Sequence, residues 1–176
     1  VPGILVLTVV GAAQGTTISV AMDMAEGIVA RFRTMSISRT SVLTGHVVGA
    51  VIQTVLATVL VLAVALLVGF RPTTGPIDWL AAAGLLVLVS LGVSWVSIAM
   101  GLSTKSVEAA SNLPMLLMLL LFLGSAFVPT ESLPDGLSWF AEHQPFTPII
   151  ETLRGLLVGT PIGGRGVVAV AWCVAM

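Results

Sequence analysis

Four stretches of this chain run for more than twenty residues without an Asp, Glu, Lys or Arg: Val1 to Met22 (22 residues), Thr40 to Phe70 (31), Trp79 to Thr104 (26) and Ala109 to Thr130 (22). About 20 helical residues cross a hydrocarbon core of about 30 Å. Runs of this length in lipid satisfy their backbone groups only as helices or as a closed barrel. Barrel strands would alternate apolar and polar residues over about ten-residue segments, and none of the four runs does so. The expected fold is therefore all-α, a polytopic bundle of transmembrane helices in a lipid bilayer. The expected spans are 1–20, 44–69, 79–102 and 109–128, with the start of another at 166–176.

The composition agrees. Hydrophobic residues make up 57% and charged residues 9% of the chain, and the net charge is -1, against about 25% charged residues in soluble domains. No basic patch interleaved with aromatics is present, which excludes a nucleic-acid partner. Cys173 has no second cysteine and reads as a buried bystander. The chain opens without a methionine and ends eleven residues after Arg165 in an apolar run, so it is expected to be the inner part of a longer protein. The segment GFRPTTGPID, 69–78, separates the second and third runs with two glycines and two prolines, a stop-and-restart signal.

Charge is concentrated between the first two runs. Of 15 charged residues, Asp23, Glu26, Arg31, Arg33 and Arg39 fall within 21–40. At about 100° per residue, Asp23, Glu26 and Arg33 share one side of a helix over 22–36, and Met24, Ile28, Phe32 and Met35 the other. Such a helix lies along the membrane surface, its apolar face against the bundle. Lys and Arg in short loops mark the cytoplasmic side; Arg31, Arg33, Arg39 and Lys105 lie on one side, and Arg71, Arg154 and Arg165 on the other. The denser first set places 22–36 in the cytoplasm. A plain connecting loop needs only the basic residues, whereas a docking helix for a protein partner also uses Asp23 and Glu26.

After the fourth run, Pro129, Pro134, Pro145, Pro148 and Pro161 break the apolar pieces, and Trp139 and Phe140 sit as interfacial anchors. Residues 132–159 do not span. They read as a re-entrant hairpin or a surface loop, with Ile149 to Val158 a short helix on which Glu151 and Arg154 can pair at i, i+3. That charge pair within an apolar piece favours the hairpin, because irregular backbone at membrane depth must be buried in protein.

The segments MAEGIVARFRTMSISRTSVLTGH (24–46), GFRP (69–72), NLPMLLMLLLFLGSAFVPTESLP (112–134) and QPFTPIIETLRGLLVG (144–159), in this order, resemble the membrane subunits of type-2 ABC exporters, in particular the daunorubicin-resistance permease branch. The resemblance implies a six-span permease whose cytoplasmic helix couples to a separate ATPase subunit. That assigns coupling to Asp23, Glu26, Arg31, Phe32 and Arg33, and the re-entrant extracellular hairpin to Pro145, Glu151 and Arg154. It also implies a second permease copy or sister permease, with ATP and Mg held by the partner ATPase and no cofactor on this chain. Where the family usually has an arginine, an aspartate and a second arginine, this chain has His46, Ala50 and Gln53, as though a charged set had been replaced together.

The remaining chemistry is negative. GLSTKS at 101–106 lacks the first glycine and the spacing of a phosphate loop, so no ATPase activity is expected. His46 and His143 are 97 positions apart without a carboxylate at ligand spacing, which does not make a metal site. Asp and Glu are absent from the interiors of the four runs, against a proton-coupled transporter. Met115, Met118, Leu119 and Phe122 could line an adaptable path, but bundle packing accounts for them as well; Gly84, Gly92 and Gly101 read as close helix contacts. The expected function is export of an apolar or amphipathic substrate, drug-like or lipid. Export of a lipid-linked glycan is the runner-up, and a non-transporting membrane scaffold the alternative class.

Overall fold

The computed structural model describes residues 1–25, 39–70, 74–104, 106–125 and 135–176. Among the described residues the secondary structure is helical, with no strand: α1 Pro2–Ala25, α2 Arg39–Leu67, α3 Pro76–Ser103, α4 Val107–Asn112, α5 Pro114–Phe122, α6 Asp135–His143, α7 Phe146–Val158 and α8 Arg165–Ala175. Three helices are long and apolar enough to cross a membrane, Pro2–Ala25, Thr44–Leu67 within α2, and Pro76–Ser103.

Helix ends follow from local chemistry. After α2 the chain turns at Gly69, whose φ of +101° is open to a residue without Cβ. Pro76 opens α3 at its first turn, where its missing N–H costs nothing, and the Gly75 N–H donates to Asp78 Oδ2 at 3.2 Å. Ser106 caps α4 by accepting from the Ala109 N–H at 3.2 Å. Gly159 ends α7 in the left-handed region at φ 80° and donates to the Gly155 carbonyl.

Two boundaries differ from the sequence expectation. The first helix does not stop at 20 but continues to Ala25, so Met22 to Ala25 extend α1 rather than open a separate surface helix. In the fourth run the described helix, Val107–Phe122, is 16 residues in two short helices meeting at Leu113. Pro114 has no N–H to give to the preceding turn, and α5 is followed by a turn at 123–125.

α1 and α3 form the centre. Leu5, Val6, Val9 and Val10 of α1 join Leu85, Leu86, Val89 and Val93 of α3 in one buried cluster, which also takes in Phe146, Ile149, Ile150 and Leu153 of α7. α7 is about 20 Å long by its 13 residues, too short to cross, yet these four side chains have no exposed surface. Leu157 of α7 lines one cavity with Leu5 of the first turn of α1 and Leu86 of α3, so α7 sits toward the end of the bundle where α1 begins.

Lipid tails are as apolar as the side chains, so close backbone approach matters more here than in water. A Cβ at Gly101 would stand 2.9 Å from the Thr17 carbonyl oxygen of α1, and one at Gly92 3.0 Å from the Cys173 carbonyl oxygen of α8. These two glycines are the expected close contacts. Gly84, expected with them, has nothing within 4 Å of its Cβ position. Met115, Met118, Leu119 and Phe122 are exposed on α5. α2 is the peripheral span: 17% of its spanning window is buried, against 50% for α1 and 56% for α3.

Candidate functional site

The residues expected to matter fall at opposite ends of α1. At its C-terminal end, Asp23 Oδ2 lies 2.8 Å from His46 Nε2 on α2. Both side chains are half-buried, and the contact ties together the two helix ends that flank residues 26–38. Sequence reading put Asp23 on the cytosolic face of a docking helix; the structure places it in the last turn of α1, turned toward α2. Glu26, Arg31, Phe32 and Arg33 lie outside the described residues, as does most of the 22–36 helix.

Beside this pair a polar cleft of about 600 Å³ opens between α1 and α2, lined by Gly15, Thr16 and Ser19 on one wall and His46, Ala50 and Gln53 on the other. Positions 46, 50 and 53 follow i, i+4, i+7 spacing and share one helical face. All three departures from the family pattern therefore border one cleft. His46 is not simply a charge lost: it keeps a carboxylate partner that sequence reading had assigned elsewhere.

At the other end, α6 and α7 meet at Gln144 and Pro145 around the buried Thr147 hydroxyl. It donates to the Ala141 carbonyl at 2.5 Å and accepts from Gln144 Nε2 at 3.3 Å and the Ser125 N–H at 3.4 Å. One donor and two acceptor positions use the full capacity of a hydroxyl. Arg154 Nη2 donates to the Ser125 carbonyl at 3.0 Å, fastening α7 to the turn after α5.

Glu151 and Arg154 do not pair with each other as expected. Glu151 instead forms an ion pair with Arg165 at the start of α8. Arg154 is turned instead toward Ser125. Glu151 and Arg165 border a second cleft of about 430 Å³ together with Glu142, His143 and Trp172. The His143 ring stacks on Trp139 with centroids 4.7 Å apart, and its Nδ1 lies 2.8 Å from the Trp139 carbonyl oxygen. Cys173 is buried and unpaired, and no metal-ligating cluster occurs among the described residues.

Comparison with known proteins gives this arrangement its class. The chain belongs to the ABC-2 type transporter family, which matches residues 1–158. It is 29% identical over 160 residues to the daunorubicin resistance ABC transporter permease protein DrrB1 of Streptomyces coeruleorubidus, covering 90% of this chain and 56% of that protein. It is 24% identical over 163 residues to the probable doxorubicin resistance ABC transporter permease protein DrrC of Mycobacterium tuberculosis, covering 90% of this chain and 59% of the relative. The chain thus spans just over half the length of these curated relatives. No solved structure matches it significantly. The family and the three spanning helices define a multi-pass membrane protein of the permease kind, a transmembrane component and not an ATPase.

Proposed function

We infer that this chain forms the membrane-spanning core of an exporter permease, that a separate ATPase subunit holding ATP and Mg docks on the segment between α1 and α2, and that an apolar or amphipathic, drug-like substrate is moved outward. The observation that carries this reading is the family match over residues 1–158, with relatives named as daunorubicin and doxorubicin resistance permeases. The Asp23–His46 contact supports the docking part, because it fixes the helix ends from which residues 26–38 emerge. On this reading that segment faces the cytoplasm.

The α6–α7 pair is then the re-entrant extracellular hairpin. Its support is that neither helix is long enough to cross, while α7 is buried against α1 and α3 at the end of the bundle away from Asp23. A second permease copy or a sister permease would cover surface left open here, for which the exposed Met115 and Leu119 of α5 are candidates.

Co-purification of the full-length protein with its candidate ATPase from detergent tests the docking. With Glu26→Ala and Arg33→Ala together, the ATPase should be lost while membrane insertion is retained. An ATPase that stays bound at wild-type level would remove these charges from the interface.

A further inference from the structure

One combination of cavity and buried polar groups stands apart from the export reading. Between α2 and α3 lies a cavity of about 140 Å³. Its floor is Leu5, Leu86 and Leu157, all buried, and its mouth is Val55, Val59 and Ala83, all exposed, so it opens on the outer face of the peripheral span and its α3 neighbour. Two further lining residues, Thr58 and Ser90, are 8% and 1% exposed, and their hydroxyl oxygens have no hydrogen-bond partner among the described residues.

That is a departure from the habit of this molecule. Buried hydroxyls on its helices bond back to the preceding turn: Thr17 donates to the Ala13 carbonyl at 2.9 Å, Ser97 to Val93 at 2.7 Å and Thr152 to Pro148 at 2.6 Å. Thr58 and Ser90 do not, although an unpaired buried hydroxyl is costly. Both line the same cavity, from facing helices.

We propose that this cavity is an intramembrane site for an uncharged, ring-sized amphiphile whose single hydroxyl or carbonyl bonds with Thr58 and Ser90. The volume sets the size, since a cavity of about 150 Å³ with apolar walls admits benzene. The lining sets the charge: it contains no Asp, Glu, Lys or Arg, and an ion there would have no partner. A water needs two to four polar neighbours; besides Thr58 and Ser90 the lining has only the Thr54 hydroxyl and the Trp79 indole among apolar side chains, which serves one polar group attached to an apolar body better than a water cluster filling the space. The site is separate from the Asp23–His46 end and from the α5 face, so its test does not depend on ATPase docking.

The test is binding of 4-fluorophenol and 4-fluorotoluene to the full-length protein in nanodiscs, followed by fluorine NMR against empty nanodiscs. Saturable binding of 4-fluorophenol is expected. Thr58→Val with Ser90→Ala removes only hydroxyls that hold no internal bond, so folding is retained, and 4-fluorophenol should bind about fivefold or more weakly while 4-fluorotoluene is unchanged. Ala83→Leu, a substitution at the exposed mouth, should abolish both. Equal partitioning into protein-containing and empty nanodiscs overturns the site. So does binding indifferent to Ala83→Leu, and equal weakening of both probes by the double variant removes the role of the hydroxyls.

Discussion

His46 and Asp23 meet at 2.8 Å although 23 positions separate them. A half-exposed contact of this kind contributes about 1 kcal/mol. His46→Ala should therefore lower the thermal midpoint of the full-length protein in detergent, whereas His46→Arg, which can still donate to the carboxylate, should restore it. Adding Asp23→Ala to His46→Ala should cost little more, since paired residues are not additive. A full second loss would show the two side chains acting separately. At this scale the sequence was legible in type but not in partnership. It marked His46, Asp23, Glu151 and Arg154 as unusual for so apolar a chain, yet it paired Glu151 with Arg154 and gave His46 and Asp23 no partner within the chain. Periodicity reports partners on one helix, and the contacts Asp23–His46, Glu151–Arg165 and Arg154–Ser125 all cross between elements.

At the scale of elements, the uncharged runs located α1, α2 and α3 because charge is too costly to leave in mid-span. They located ends less well. A helix does not stop where charge begins, so α1 runs on through Asp23 to Ala25. An uncharged run does not guarantee an unbroken helix either, as Pro114 shows. Glycine spacing was half legible: Gly92 and Gly101 do lie at helix contacts, but nothing in the sequence separates them from Gly84, because a neighbour's backbone leaves no mark on the residue that accommodates it. The difference is measurable. Gly101→Ala puts a methyl group 2.9 Å from the Thr17 carbonyl oxygen and should destabilise the α1–α3 contact by about 1–3 kcal/mol. Gly84→Ala should be neutral or slightly stabilising through helix propensity. Thermal unfolding of both variants, with similar losses at the two sites, would refute close approach at Gly101.

For the whole molecule, Gly101 against Thr17, with Leu5 and Leu86 on the walls of one cavity, makes α1 and α3 parallel, with α2 returning between them in sequence. Ser103 and Thr160, both exposed, then lie at opposite ends of the bundle. With the orientation read from the basic loops, an impermeant maleimide should label Thr160→Cys on intact cells and Ser103→Cys only after permeabilisation, with the buried Cys173 contributing little background. The reverse pattern would invert the topology. α1 also has a mechanical character. It touches α2, α3, α4, α5 and α7, and its 24 residues make a rod of about 36 Å bonded to His46 near one end and packed beside α7 near the other. Pivoted at one end, such a rod tilted by about 5° carries its far end through about 3 Å. Torque applied where Asp23 is held thus arrives beside Leu157 as displacement to the extent that α1 turns as one rod.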